Sequence, residues 1–263
     1  MAGKILCVDI GNSNTVFGIF DSAREGEPVL KHWRTVTRRD RTSDELGIFL
    51  LGFLESASLD PASIGSCVYS SVVPSFNPIV ERMARDYFQA GVLRVQHDLK
   101  LPITFDYPRP AEIGADRVVN AVAAHVRFGG DLIVIDLGTA TTFCVLHQGS
   151  YVGGSIAPGL KLSMESLSRA TAQLPPIEFR NPPDGAIGKS TTGALQSGFF
   201  YGWVGLLREI TDRVRRHSPD RTYRVIATGG LCGLIHAEEP SLFDEVDPLM
   251  TLHGLQTIYR YQQ

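Results

Sequence analysis

Two short segments of the sequence place an aspartate at the end of an apolar stretch and follow it at once with glycine and small polar residues. They read DIGNSNTV at residues 9–16 and DLGTATT at residues 136–142. Backbone N–H groups in a turn of small residues can converge on an anion, and an adjacent carboxylate can hold a hydrated cation. The residue types favour a phosphate site at the first turn with Mg²⁺ beside Asp9, although an ordinary Asn- and Gly-rich hairpin would select the same residues.

The residue type of Asp136 does not specify which cation would bind there. A magnesium ion held through water, as at Asp9, would suit the carboxylate, and a monovalent cation would also neutralise phosphate charge. The residues alone do not separate the two.

Apolar residues flank both segments and predict, in each case, two strands joined by a tight hairpin turn. The strands of the first hairpin are predicted at Lys4–Val8 and Thr15–Phe20. A gapless alignment of the two segments matches Asp136 to Asp9, Leu137 to Ile10, Gly138 to Gly11, Thr139 to Asn12 and Thr142 to Thr15. Because this unit stands at the start of each half of the chain, a duplicated domain explains it better than coincidence.

A third glycine turn, ATGG at residues 227–230, follows a predicted strand at Tyr223–Ala227. Gly229 and Gly230 would allow a flat ligand such as a purine to approach the backbone closely. A plain strand-to-helix turn explains these glycines equally well.

Helices must support these turns, and local signals mark where they begin and end. Thr42 and Glu45 form a capping box, and Asn77, Pro78 and Gly91 predict the start and end of a second helix. The predicted elements are helices over residues 46–54, 79–90, 114–128 and 192–217 and a strand over residues 66–73.

Proline and aromatic residues are concentrated in Leu101–Pro110, which predicts a linker or binding loop near the junction of the two halves. We therefore expect an N-terminal domain of residues 1–113 and a C-terminal domain of residues 114–263. The last helix, at about residues 249–261, is left free to pack back on the first domain.

The composition is that of an ordinary globular protein, with 263 residues, 43% of them hydrophobic, and a net charge of −3. Without a basic excess or an apolar stretch long enough to cross a bilayer, we expect no nucleic acid and no membrane as partners. Four widely spaced cysteines predict buried thiols in a cytoplasmic protein rather than a zinc site. Gly188-Lys189-Ser190 is not a Walker A motif, because Pro183 stands where that motif needs glycine.

Two Asp-led turns could bind a polyphosphate, and the third glycine turn could hold its base. This arrangement resembles the superfamily of actin, the chaperone ATPases, and the acetate and sugar kinases. Within it, the chain resembles the type III pantothenate kinases, whose order and approximate spacing of motifs it shares: DIGNSNTVFG, SSVVP, GADRVVNAVAA, DLGTATTF, GGSIAPGL, IGKSTTGALQSG and ATGG. The resemblance implies an α/β fold of two related ribonuclease H-like domains, with mixed sheets flanked by helices and a nucleotide cleft between the domains.

The resemblance also implies an activity, its cofactors and its site residues. The activity is ATP-dependent phosphorylation of pantothenate to 4'-phosphopantothenate, the first step of coenzyme A synthesis, by a cytoplasmic homodimer. The cofactors are ATP with Mg²⁺ and a monovalent cation, K⁺ or NH₄⁺, at Asp136. The expected ATP contacts are Asp9, Ile10, Gly11, Asn12, Ser13, Asn14, Thr15, Val16 and Thr139, to which the third turn adds Gly229 and Gly230.

The pantothenate contacts implied by the resemblance are Tyr107, Gly114, Ala115, Asp116, Arg117 and Thr191. Asp116 is the implied catalytic base, and Thr191 is implied to reach the site of the neighbouring subunit. The chain departs from the family pattern at Ser13, where threonine is more common, and at Ser190, where asparagine is common. Neither departure removes a needed group.

Phosphoryl transfer needs in-line positioning and charge neutralisation more than covalent help. Asp116, in the first turn of a predicted helix, is expected to stay ionised in the field of the helix dipole and to accept the proton of the attacking hydroxyl. Arg117 could pair with the carboxylate of the substrate. Without the resemblance, Asp116 is explained as a carboxylate that only interacts with the helix dipole, and Arg117 is explained as part of a surface salt bridge.

Two other functions fit the same residues. One is a kinase that phosphorylates another small hydroxylated acceptor. The other is a nucleotide-binding regulatory factor of the same fold, against which stand the acidic charge balance and the lack of a recognisable helix-turn-helix.

Overall fold

The computed structural model describes residues 3–22 and 29–263, which form two compact units. Unit 1 comprises Met1–Arg127 and Met250–Gln263, and unit 2 comprises Phe128–Leu249. The strands are β1 (Lys4–Ile10), β2 (Asn14–Asp21), β3 (Lys31–Val36), β4 (Ile64–Ser71), β5 (Gly91–Arg94), β6 (Thr104–Phe105), β7 (Asp131–Leu137), β8 (Ala140–His147), β9 (Ser150–Pro158), β10 (Tyr223–Thr228) and β11 (Glu245–Val246). The α-helices are α1 (Ser43–Ser56), α2 (Asn77–Phe88), α3 (Ala115–Phe128), α4 (Leu160–Ala170), α5 (Thr191–His217), α6 (Cys232–Glu238) and α7 (Met250–Tyr261).

The sheet of unit 1 is mixed, with strand order β3-β2-β1-β4-β5. Strands β1, β2 and β3 are antiparallel neighbours, whereas β4 is parallel to β1 and β5 is parallel to β4. One face packs on α1 and α2 through a core that includes Leu46, Leu50, Phe76 and Tyr69. Parallel pairing next to the first hairpin therefore brings the ends of β1 and β4 to the same edge of the sheet.

Helix α7 closes the other face of this sheet, against β1, β2 and β4. Its approach depends on two glycines. A side chain at Gly18 would lie 2.8 Å from Leu252, and one at Gly254 would run into the backbone of Val119 in α3. Close packing at these points is why the end of the chain belongs to unit 1.

Unit 2 repeats the arrangement around strands in the order β11-β10-β7-β8-β9. Strands β7, β8 and β9 are antiparallel neighbours, and β10 runs parallel to β7. Its core includes Ile133, Ile135 and Phe143 of the sheet with Trp203 and Leu207 of α5. Both units are thus mixed sheets flanked by helices, as the sequence predicted.

Several predicted elements are confirmed. The backbone N–H of Glu45 donates to Thr42 Oγ1 at 3.2 Å and the N–H of Thr42 donates to Glu45 Oε2 at 2.7 Å, which completes the predicted capping box. Helix α3 ends at Phe128, before Gly129 and Gly130 at φ of +60° and +71°. Helix α5 starts one residue before the predicted position.

The predicted ends of α2 were wrong. The helix ends at Phe88, its C-cap Gln89 adopts the left-handed conformation at φ 52°, and the N–H of Ala90 donates to the carbonyl of Ala84 at 3.1 Å. Gly91 instead opens β5, a strand that the sequence did not predict. The side chain of Asn77 caps nothing, because its Oδ1 is buried without a hydrogen bond.

The division into units falls at the end of α3 rather than before it. Residues 114–127 and α7 lie in unit 1, whereas the sequence suggested a boundary at residues 113 and 114. Among the described residues, no helix is both long enough and apolar enough to cross a membrane.

Candidate active site

The first Asp-led turn in unit 1 is a tight hairpin between β1 and β2. Ile10 and Thr15 form its closing pair, and the N–H of Gly11 donates to the carbonyl of Asn14 at 3.0 Å. The residues between Gly11 and Thr15 are exposed at the end of the sheet, whereas Thr15 itself is buried. The segment predicted to bind phosphate is therefore an accessible turn on a hydrogen-bonded strand pair.

Thr37, which the sequence analysis did not single out, holds this turn in place. Its N–H donates to the carbonyl of Ser13 at 3.0 Å, and its hydroxyl donates to the carbonyl of Gly11 at 2.7 Å. The hydroxyls of Thr15 and Thr37 are 2.9 Å apart. Because Thr37 follows β3, more than twenty residues after the turn, no local sequence signal connects the two.

Asp9 lies one residue before the end of β1, half-buried, opposite Val16 of β2 and Ser70 of β4. The hydroxyl of Ser70 donates to Asp9 Oδ1 at 2.7 Å. Burial, with a smaller contribution from the nearby Asp116, raises the pKa of Asp9 to about 7, although the Ser70 hydrogen bond and Arg34 oppose the rise. Asp9 is therefore a carboxylate whose charge the protein alone stabilises poorly and which a bound cation would stabilise.

Asp116 lies in the first turn of α3, as predicted, and its field reaches Asp9. Its Oδ1 accepts the backbone N–H of Arg117 at 2.8 Å. Burial raises the pKa of Asp116 above its usual value, while that hydrogen bond and the charge of Arg117 act in the opposite direction. The expectation that the helix dipole keeps Asp116 ionised did not include desolvation, which is the largest effect on its pKa and favours the protonated form. A carboxylate with a raised pKa is the stronger base.

Gly114 makes room for the Asp116 carboxylate. A Cβ at Gly114 would lie 2.6 Å from Asp116 Oδ1. The carbonyl of Gly114 also accepts the N–H of Val118 at 3.1 Å, which begins the helix. The predicted segment Gly114, Ala115, Asp116 and Arg117 is therefore a glycine-dependent helix start that positions one carboxylate.

Unit 2 contains the second Asp-led hairpin, with one residue fewer in its turn. Leu137 and Thr141 form the closing pair, and the N–H of Gly138 donates to the carbonyl of Ala140 at 3.1 Å. The gapless alignment was therefore wrong after the glycine, because Thr141, not Thr142, occupies the place of Thr15. Thr141 is equally buried, and its hydroxyl accepts the indole N–H of Trp203 at 3.2 Å.

Two glycines pack directly on this second turn. Gly229, at φ +92°, would place a Cβ 2.6 Å from Asp136 Oδ1. Gly159 lies against the backbone of Gly138 and Thr139, with no space for a side chain. Asp136 is half-buried, and Thr139 and Gly230 are exposed. In unit 2 the structure therefore brings together Asp136, the second turn and the third glycine turn.

Comparison with known proteins decides the family. A family model described as type III pantothenate kinase matches residues 5–213. A type III pantothenate kinase of Listeria welshimeri is 42% identical over 257 residues, which cover 97% of this chain and 96% of the relative. The chain belongs to the type III pantothenate kinase family.

Two solved structures share the fold of this kinase family member. A Campylobacter jejuni protein assigned to the Baf family of transcriptional activators aligns with a TM-score of 0.58 at 18% identity, over 98% of both chains. A Sinorhizobium meliloti protein assigned as a 2-dehydro-3-deoxygalactonokinase aligns with a TM-score of 0.57 at 14% identity, over 98% of this chain and 96% of the other. At these identities the likeness concerns the fold alone.

The remaining predicted residues of the pantothenate kinase site lie on other elements. Thr191 is the exposed first residue of α5, whose N-cap Ser190 accepts the N–H of Gly193 at 3.0 Å. Tyr107 is half-buried in the segment after β6 of unit 1. The contacts among the described residues do not identify Thr191 or Tyr107 as part of a pantothenate site, so both roles stay predictions.

The residues present fit the expected cations. Among the described residues, no group of three or more His, Cys, Asp or Glu side chains could hold a metal. Magnesium in kinase sites is bound by one or two carboxylates with the remaining ligands from phosphates and water, which matches a lone, desolvated Asp9 beside an exposed turn. A monovalent cation prefers oxygen ligands, and Asp136 offers a carboxylate at the edge of the second turn.

Proposed function

We propose that this protein transfers the γ-phosphoryl group of ATP to the hydroxyl of pantothenate, forming 4'-phosphopantothenate, the first step of coenzyme A synthesis. Family membership supports the activity. The observation that carries the proposal is that unit 1 brings together a braced, exposed turn, a desolvated Asp9 and a half-buried Asp116 within electrostatic range of each other.

The residues of the first turn act by binding and orienting. The phosphates of ATP bind at residues 10–16, where the Thr37 hydrogen bonds keep the turn from moving as charge develops. Asp9 holds magnesium through water. The magnesium supplies neutralisation of the phosphate charge in the transition state.

Asp116 removes the proton of the attacking pantothenate hydroxyl. Its raised pKa brings it closer to neutral pH, where a general base is most effective. Arg117 binds the carboxylate of pantothenate through its guanidinium fork. Gly114 and Ala115 belong to the same segment and also contact pantothenate, and Tyr107 contributes a further contact with it.

Residues of unit 2 supply a cation site and further contacts with the nucleotide. Asp136 binds the monovalent cation, K⁺ or NH₄⁺, and Thr139, Gly229 and Gly230 contact ATP. The proposal further includes a cytoplasmic homodimer in which Thr191 serves the site of the neighbouring subunit.

An acceptor panel tests the proposal. Purified protein is assayed for ADP release with ATP, magnesium and potassium in the presence of pantothenate, glucose or acetate, one at a time. We expect ADP release with pantothenate only. Transfer to glucose or acetate but not to pantothenate would assign the protein to another kinase specificity.

A further inference from the structure

The first turn has no positive charge of its own. Residues 9–16 contain neither lysine nor arginine, whereas phosphate loops of P-loop enzymes carry a lysine that reaches the phosphates. Asp9 and Asp116 add negative charge at the same place. A cationic side chain from another element would add to the neutralisation that magnesium supplies to a polyphosphate bound here.

Strand pairing places Arg34 of β3 in register with Asp9. Arg34 pairs with Val16, and Val16 pairs with Asp9, so the three residues form one row across the sheet. Paired residues on neighbouring strands point to the same face, and successive residues alternate. Arg34 therefore projects from the face that carries Asp9, while Trp33 stacks on Phe53 of α1 on the opposite face.

The position of β3 is fixed by the turn itself. Thr37, three residues after Arg34, is hydrogen-bonded to Ser13 and Gly11. Since β3 is the edge strand of the sheet, the Arg34 side chain is exposed along the side of the turn. The Arg34 guanidinium also lies within electrostatic range of the Asp9 carboxylate.

The Arg34 guanidinium is also available. Among the described residues, none forms a salt bridge with Arg34, whereas Arg109 and Arg213, for example, are paired with glutamates. A guanidinium presents parallel N–H donors that match two phosphate oxygens, and it is weakly hydrated compared with an ammonium group.

We infer that Arg34 is a phosphate-binding residue that binds the polyphosphate of ATP from the β3 side of the first turn. The inference deepens the proposed function and rests on it for the identity of the nucleotide. Arg34 supplies the cation that the turn lacks, and together with magnesium at Asp9 it neutralises the phosphate charge.

The inference is tested by measuring the equilibrium affinity for MgATP, without pantothenate, of the variants Arg34→Gln and Arg34→Lys and of the control variant Lys31→Gln. Lys31 is an exposed cation on the same strand, at the end remote from the turn and on the opposite face. Loss of a charged hydrogen bond predicts that Arg34→Gln weakens MgATP binding by about tenfold or more, with Arg34→Lys intermediate and Lys31→Gln within about twofold of wild type. The salt dependence of binding is also expected to flatten in Arg34→Gln, which a purely structural role would not cause.

Unchanged MgATP affinity in Arg34→Gln, or equal weakening by Lys31→Gln, overturns the inference. Thermal unfolding of the nucleotide-free variants checks that each is folded. Because binding is measured without pantothenate, the result is separate from the acceptor panel. Wild-type protein that binds MgATP but does not phosphorylate pantothenate contradicts the proposed function, and the Arg34 comparison still decides the inference.

Discussion

Two carboxylates of unit 1, for which different roles are proposed, lie in different environments. Asp9 accepts a hydroxyl from Ser70 and is raised in pKa by burial and by the neighbouring Asp116. Asp116 accepts a backbone N–H and lies beside Arg117, which limits the rise that burial causes. Carboxylates in unlike surroundings divide acid–base and ion-binding work between them. In the proposed mechanism Asp9, beside the exposed turn, holds the cation, and Asp116, in the first turn of α3, accepts the proton.

Asp116→Asn is expected to reduce turnover by about 10²–10⁴-fold, because the amide keeps the shape and cannot accept the proton. The KM for ATP is expected to change little, since Asp116 acts on the acceptor. Steady-state kinetics with both substrates varied measure the two effects. Near-normal turnover would remove Asp116 from the role of base.

Asp9→Asn is expected to stabilise the nucleotide-free protein at alkaline pH. The pKa of Asp9 rises from its usual value of 3.8 to about 7 in the folded chain. The folded state therefore gains stability from protonated Asp9 at low pH and loses it as pH rises through about 7. Asparagine can still accept the Ser70 hydroxyl and carries no charge, so the variant gains on the order of 2 kcal/mol at pH 8, and the gain disappears toward pH 4.

Denaturant unfolding of wild type and Asp9→Asn between pH 5 and pH 8 measures this difference. Asp40→Asn, at an exposed aspartate of the same unit, serves as the control and is expected to show no such trend. A stability difference that does not grow with pH would show that Asp9 is not penalised when ionised.

At the level of secondary structure, a glycine leaves space for a carboxylate in each unit. Gly114 does so for Asp116 in unit 1, and Gly229 does so for Asp136 in unit 2. The two Asp-led hairpin turns differ in length by one residue, and each is closed by a buried threonine, Thr15 in unit 1 and Thr141 in unit 2.

Gly114→Ala is expected to displace the Asp116 carboxylate and to lower kcat by about tenfold or more while the affinity for ATP is retained. The reason is that the added methyl group would lie 2.6 Å from Asp116 Oδ1. Gly65→Ala, a glycine of β4 with open space around its Cβ position, is the matched control. Equal kinetics for the two variants would contradict the positioning role of Gly114.

Local sequence signals predicted the elements that depend on nearby residues. The hairpins, the Thr42–Glu45 capping box and the extent of α5 follow from patterns within a few residues and are confirmed. The end of α2 was mispredicted because Gln89 adopts the left-handed conformation that glycine usually provides. Strand β3 was missed because its alternately exposed residues resemble a solvated basic segment.

At the scale of the whole molecule, the family could be predicted from motifs spread along the chain, and the comparisons confirm it. The contacts that complete the first turn could not be predicted in this way, because Ser70 lies 61 residues from its partner Asp9 and Thr37 lies 26 residues from its partner Gly11. Such pairings depend on strand order, which a single sequence does not specify. The assignment of α3 to unit 1 likewise depends on tertiary packing.

Replacing potassium by lithium is expected to slow the whole reaction several-fold if Asp136 holds a selective monovalent site. The smaller ion is more strongly hydrated and gives up water less readily to a carboxylate. Initial rates at constant ionic strength measure the effect, and Asp136→Asn should abolish the difference between the salts. Equal rates of the wild type in both salts would count against a cation role for Asp136.

In the proposed reaction, the hydroxyl of pantothenate is phosphorylated with Asp116 as the base. The direct measurement is identification of the product by phosphorus NMR after purified protein is incubated with ATP, magnesium, potassium and pantothenate. We expect one phosphate monoester, 4'-phosphopantothenate, formed in a one-to-one ratio with ADP and almost absent with Asp116→Asn. ATP consumption without phosphorylated pantothenate, or product formed equally well by Asp116→Asn, would contradict it.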